Sequence, residues 1–431
     1  MTKFQLILTG VFVAFILIGV LVFSFSKGSS KPIVPVVMWG TIPTDVFAKA
    51  FAVTTLATDR TISLNYVQKN ASTFDGDFLN ALATGKGPDV VLLSQEEIFK
   101  NQSKLFTIPY ANYAERDYLN TFVQEGSLFL NANGTLAVPI LIDPLVMYWN
   151  KDIFTTAALT APPSFWDQFY GLTNSLTKKD GAFNITQSAV ALGGYSNVNN
   201  AKDILAALLI QAGTPIVSMS PNGVLTSVLI YNFGLPVTPA ISATTFYTEF
   251  SNPAKADYSW NRSLSNSQDM FTAGNLAIYF GFSSELNVLR QKNPNLNFDV
   301  WPLPQSRTAQ KKVTFGRILA LALVKNSAKI SSAYAIVAGL SSANNVAAFS
   351  KTLGMPPARL DLLSTIPKDS YSTVFYQSAL QSRGWFDPDG TQTNSIFQNL
   401  IETITSGKAT QDVALTQADN QLKSVISSSS Q

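Results

Sequence analysis

Two of the side chains that do most enzymatic work near neutral pH are missing: the 431-residue sequence contains no histidine and no cysteine. A Ser-His-Asp triad, a His-built zinc site, a thiolate nucleophile, disulfides and a lipid-modified cysteine are therefore excluded. Chemistry could still rest on carboxylates, Lys, Tyr and Ser. Ser-x-x-Lys occurs at Ser24 and Ser175, but neither is joined by the Ser-Asp-Asn or Lys-Thr-Gly partners of penicilloyl-serine enzymes. Two carboxylates could hydrolyse a glycoside, yet the 27 acids show no pairing that singles out an acid and a nucleophile. DPDG at Asp387 to Gly390 echoes part of a calcium loop without its later ligands and reads as a surface turn. There is no Gly-Lys-Ser/Thr phosphate loop, so the chain would not itself be an ATPase. The expectation is a non-enzyme with no catalytic residue, metal or cofactor.

The residues that remain suit binding. Aromatic faces cover the C–H face of a sugar ring, and Asn, Asp and Gln bond its hydroxyls. Trp39, Trp166 and Trp385 each flank a turn at a strand or helix end, whereas Trp149 and Trp301 sit inside strand-like runs and read as core. The loop Gly193 to Asn200 offers Tyr195 and Asn197 among several amides. Ser94, Gln95 and Glu96 follow a strand directly.

The elements that position these residues can be read from periodicity. VVMWG from Val36, Ile62 to Val67 and Val90 to Leu93 read as strands. Asp45 to Thr58 and Phe74 to Ala83 read as helices between them, the second stopped by Gly85 and Gly87. Such alternation argues for an α/β layer with a largely parallel sheet, whose ligands sit beyond the carboxyl ends of the strands. Trp39, Ser94, Gln95 and Glu96 occupy that place. Ala137 to Phe154, AVPILIDPLVMYWNKDIF, reads as strand, tight turn at Asp143-Pro144, second strand and a helix start capped by Asn150. Leu276 to Phe280 is a later strand ending at Gly281-Phe282. The tail forms two helices separated by Ser406-Gly407.

The row Tyr148, Asn150, Lys151, Asp152, the Gly85-x-Gly87-Pro88-Asp89 row, PPSFWDQF at Pro162 to Phe169, the strand before Gly281 and the MPPAR turn from Met355 together resemble the family 1 extracellular solute-binding proteins of bacterial ATP-driven importers. The likeness covers about residues 36 to 425. It implies a two-lobed periplasmic-binding-protein type II fold, with the first lobe at 32–142 and 318–353, and the second at 143–317 and 354–431. The chain would cross the hinge near Asp143 and recross it near Arg317. Asp143 either bonds hinge amides or touches the ligand, and Arg317 either pairs with an acid across the hinge or reaches the ligand. The ligand set expected from residues and resemblance together is Trp39, Ser94, Gln95, Glu96, Asp143, Trp166, Tyr195, Asn197, Gly281, Phe282, Arg317 and Trp385.

Composition bounds the rest. The hydrophobic fraction of 46% can fill two cores. The net charge of +3 is carried by Lys3, Lys27 and Lys31, because residues 1–31 contain no acid. A neutral body gives no support for a nucleic-acid partner. Residues 4–26 carry no charge, and an apolar run of roughly 20 residues matches a bilayer core. No Ala-x-Ala-like cleavage site follows it, so 1–31 reads as an uncleaved transmembrane signal anchor and a short tether. The resemblance places the body on the outer face of the cytoplasmic membrane. There a monomer would capture a small solute, most simply a sugar or oligosaccharide, for the permease subunits of an importer. The alternatives are a structural or adhesive surface protein on the same fold and an anchored glycan hydrolase.

Overall fold

The computed structural model describes residues 35–220 and 223–429. The run at 4–26 expected to anchor the chain lies outside them, and among the described residues no helix is long and apolar enough to cross a membrane.

Strands β1 (Val36–Gly40), β2 (Leu64–Gln68) and β3 (Val90–Ser94) form a parallel sheet in the order β2-β1-β3. Helices α1 (Thr44–Ala52) and α2 (Phe74–Ala83) make its crossovers. Period-2 alternation decides which core each residue enters. Met38, Val90, Leu92, Leu321 and Leu323 pack on one face, and Trp39, Val91, Leu93, Ala320 and Ala322 on the other. A sheet covered on both faces needs near-continuous apolar strands, which is why VVLL reads as it does.

Two long strands carry the chain between lobes. β4 (Val138–Asn150) runs outward, with every residue buried except half-buried Trp149. The second lobe adds β5 (Ile185–Val190), β6 (Leu276–Phe282) and β7 (Phe298–Trp301). β8 (Thr314–Val324) returns antiparallel to β4 and then pairs with β3. The continuous order is β2-β1-β3-β8-β4-β6-β5. The turn expected at Asp143-Pro144 does not form; a single strand passes through. Pro144 falls where β4 leaves β8 (last pair Gly316↔Pro144) and meets β6 (first pair Phe282↔Leu145), a point that tolerates a residue without an N–H.

The first lobe extends past the boundary expected at 353. Ala358 donates its N–H to Ile140 O at 3.0 Å and accepts from Val123 N at 2.9 Å, and Leu363 lies in the Trp39 core. Helix α5 (Ser370–Gln381) then straddles both lobes, with Phe375 in the second core and Ala379 in the first. A third crossing follows as β9 (Ser382–Arg383) beside Thr314 and Phe315. The two tail helices, Gly390–Thr405 and Gln411–Ser429, close on the second lobe through Leu400, Ile401, Leu415 and Leu422.

Candidate functional site

A cleft of about 710 Å³ lies between the lobes. The first lobe contributes Glu96 and Glu97 from α3 (Gln95–Lys100), at the carboxyl end of β3 as the strand rule requires. The hinge contributes Arg317. The second lobe contributes the loop from Tyr195 to Asn200, the first turn of α4 (Ala201–Ala212), and the first two turns of α6 (Gly390–Thr405).

The charges are arranged in sequence across this cleft. Arg317 reaches Asp203 with two donors, Nη2 to Oδ2 at 2.6 Å and Nε to Oδ1 at 3.3 Å, and its guanidinium lies 4.2 Å from the centre of the Phe282 ring. Lys202, the preceding residue, donates to Asp387, which also accepts from Thr393 Oγ1. Lys202 Nζ also lies 3.5 Å from Glu96 Oε1 of the other lobe. A second cross-lobe pair joins Lys100 to Asp389 at 3.2 Å, and Lys100 also meets Asp75 at 2.6 Å. Asp389 in turn caps α6, accepting from Thr391 N and Gln392 N at 3.0 and 3.1 Å. Glu96 Oε2 approaches the start of that helix so closely that a Cβ at Gly390 would stand 2.8 Å from it.

Burial and neighbours tune these groups in opposite directions. Burial pushes the Asp387 carboxyl up to about 6 even beside Lys202. Burial, reinforced by Asp75, pushes Glu97 up to about 7. Burial acts on Glu96 as well, but Lys202 and Arg317 outweigh it and hold Glu96 below the usual carboxylate range. Lys202 stays charged, because Asp387 and Glu96 outweigh its own desolvation. The cleft thus offers a fixed anion and a guanidinium half open to solvent, with amides and hydroxyls from Asn200, Thr391, Asn394, Ser395 and Gln398. That set bonds hydroxyl groups of a polar solute.

Of the twelve residues expected at a site, Glu96, Tyr195 and Arg317 line the cleft. Tyr195 is 8% exposed and donates its hydroxyl to Asn394 Oδ1 at 2.8 Å. The expected aromatic shelf does not form, because the three tryptophans are core. Trp39 packs against Phe74 and Phe78 under Lys69. Trp166 packs against Phe169, Phe246 and Phe280 and donates to Gln211. Trp385 is 2% exposed against Phe397. Trp301, expected in the core, is instead 38% exposed.

Several other expected residues hold the scaffold. Asp143 accepts from Ser283 Oγ and Ser284 N at 2.6 and 2.9 Å, fastening β4 to the second lobe. Gln95 is buried and accepts from Ile318 N at 3.0 Å. Ser94 pairs with Leu319 in the sheet. Asn197 ties its loop to Asn261 O, Leu264 O and the Trp260 indole. Gly281 and Phe282 lie inside β6, Phe282 serving as the surface on which Arg317 rests. DPDG is not a surface turn, since Asp387 is 1% exposed and Asp389 8%. Sequence reasoning missed Glu97, Lys202, Asp203 and the face of α6. A signal for two of them exists: in AKDILAALLIQA, Lys202 and Asp203 are the only charges on an otherwise apolar buried helix, and buried charges need partners.

A family model described as bacterial extracellular solute-binding protein matches residues 47–374. No curated protein matches by sequence. Among solved structures, the sugar-binding protein MalE from the phytopathogen Xanthomonas citri superposes with a TM-score of 0.74 at 16% identity, covering 92% of this chain and 98% of that one. The cyclic alpha-maltosyl-1,6-maltose binding protein from Arthrobacter globiformis gives 0.74 at 15% identity, covering 92% and 99%. A cyclo/maltodextrin-binding protein complexed with maltotetraose gives 0.73 at 17%, covering 92% and 98%. At these identities the likeness establishes the two-lobed α/β fold.

Proposed function

Because the chain belongs to the bacterial extracellular solute-binding protein family, we propose that it captures a small saccharide in the cleft and delivers it to the permease subunits of an ATP-driven importer. The observation that carries this reading is the cleft itself. Hydrogen-bonding groups from both lobes and the hinge converge on one cavity of about 710 Å³. A ligand that touches both lobes favours the closed state, since only differential contacts shift such an equilibrium. Similar solved structures, a cyclo/maltodextrin-binding protein complexed with maltotetraose and a cyclic alpha-maltosyl-1,6-maltose binding protein, support the same class. Among the described residues Tyr195 is the one aromatic side chain lining the cavity, so recognition here rests on charge-assisted hydrogen bonds more than on ring stacking. Residues 4–26, uncharged throughout, serve in this reading as the membrane anchor that keeps a monomeric body outside the cell.

The test is a panel of mono- and oligosaccharides, amino acids and short peptides, screened by thermal shift and followed by calorimetry on the best binder. At least one saccharide should raise the melting temperature. Glu96→Gln should then weaken it by roughly 10- to 100-fold, the worth of about 1.5–3 kcal/mol for a hydrogen bond to a charged group. Binding confined to amino acids or peptides would refute the saccharide reading.

A further inference from the structure

Glu125, in the short turn Gln124–Phe129 of the first lobe, is 2% exposed, and neither of its carboxyl oxygens completes a hydrogen bond of ordinary geometry, although the Gln95 amide faces it. It lies beside the hinge strands. A Cβ at Gly316 of β8 would stand 2.7 Å from Oε2, and one at Gly384, just past β9, would stand 2.6 Å from Oε1 and 2.5 Å from Gln95 Nε2. The carboxyl therefore lies against the backbone of two of the three crossings, where only glycine leaves it room. Gln95, the neighbour on α3, grips the same crossing through Ile318 N. The charged group acting on Glu125 is Arg383 of β9, whose Nη1 donates to Ser382 O at 2.6 Å. Arg317, next to Gly316, is committed to Asp203.

We propose that Glu125 is a proton-held pin of the hinge, keeping the lobes closed as the neutral acid and releasing them as the carboxylate. A neutral carboxyl can remain in an unsolvated site, whereas an ionised one cannot stay there without donors. It gains water only if β8 and β9 move away from the turn that carries it. Ionisation sends the proton to solvent. Burial pushes this carboxyl well above the usual range, with Gln95 and Arg383 pulling it back. An acid raised in the closed state stabilises closure below the ordinary carboxylate range, and that contribution is lost as pH rises through the raised value. Within this window the closed-to-open ratio falls by up to about tenfold per pH unit.

The chain has no native cysteine, so the full-length protein can be labelled at Val53→Cys in the first lobe and Phe183→Cys in the second, positions 66% and 81% exposed. Single-molecule energy transfer between pH 4.5 and 9, without added solute, should report a lobe separation that grows with pH. Glu125→Gln, which keeps size and removes the titration, should hold the closed separation throughout. Arg383→Gln, which removes the facing cation, should raise the closed-state value further and so open the lobes more at the alkaline end. A wild-type separation that ignores pH, or an unchanged transition in Glu125→Gln, overturns the proposal. Should Glu125→Gln fail to fold, an Arg383→Gln protein no more open than the wild type at the alkaline end overturns it.

Discussion

Replacing Lys202 with methionine separates the scaffold role of the cleft's charges from their binding role. In the wild type Lys202 is 8% exposed and Asp387 1%, and the ammonium is the cation that meets Asp387. Methionine keeps the length of the stem and removes the charge, leaving Asp387 with Thr393 and a backbone N–H as donors. Removing one partner of a buried pair costs about 3–5 kcal/mol. For a cooperatively unfolding body of this size that corresponds to roughly 4–6 °C in melting temperature. The pH dependence follows from Asp387. Its folded carboxyl is raised to about 6, so its favourable contribution is present below the ordinary carboxylate range and lost as pH rises through about 6. Without Lys202 the folded value rises further. The variant therefore goes on losing stability at pH values where the wild type has levelled off, and its deficit widens above about pH 6. Thermal and urea melts at pH 5 and pH 7.5 measure this. Lys202→Met with Asp387→Asn should recover to within about 1–2 kcal/mol of wild type, because Asp387 is no longer a stranded charge and Glu96 keeps Arg317. A single variant that melts within about 1 °C of wild type at pH 7.5, or a double variant no better than the single, would refute the reasoning.

Two further outcomes are expected. Gly390→Ala places a methyl 2.8 Å from Glu96 Oε2 across the cleft while alanine suits the helix start; the protein should fold normally but scatter as a more extended particle, and an unchanged radius of gyration would show that Glu96 does not seat against α6. Trp385→Ala should lower stability by about 3–5 kcal/mol whether or not a solute is present, because the ring is core; a variant that keeps its melting temperature and loses only affinity would restore the tryptophan to the site.

Much of the fold was legible because its signals are periodic. VVLL and FDGDFLNALA could be placed to within a residue or two, since a sheet buried on both faces admits only apolar runs and a helix between strands must alternate on a 3.6-residue period. The site was legible where topology locates it, and at Tyr195, the ring of an amide-rich loop. Glu96 follows from the strand-end rule and Arg317 from the recrossing of the hinge. The tryptophans misled because a turn-flanking aromatic looks the same in sequence whether it faces the cleft or the core. Trp385 turns inward because Phe397, from the following helix, lies behind it, a partner set by tertiary packing. Pro144 misled for a related reason: it breaks a strand only where a neighbour waits for its N–H, and here the neighbour changes at that residue. Lys202 and Asp387 lie far apart in the sequence, and nothing local marks DPDG as the end that receives a buried ammonium. The apolar stretch around Lys202 nevertheless demanded an acid somewhere in the fold, and the same argument applied to Glu125 finds no full partner. Charges that apolar sequence obliges to be buried are therefore where a sequence reading of this cleft should begin, ahead of its aromatic rings.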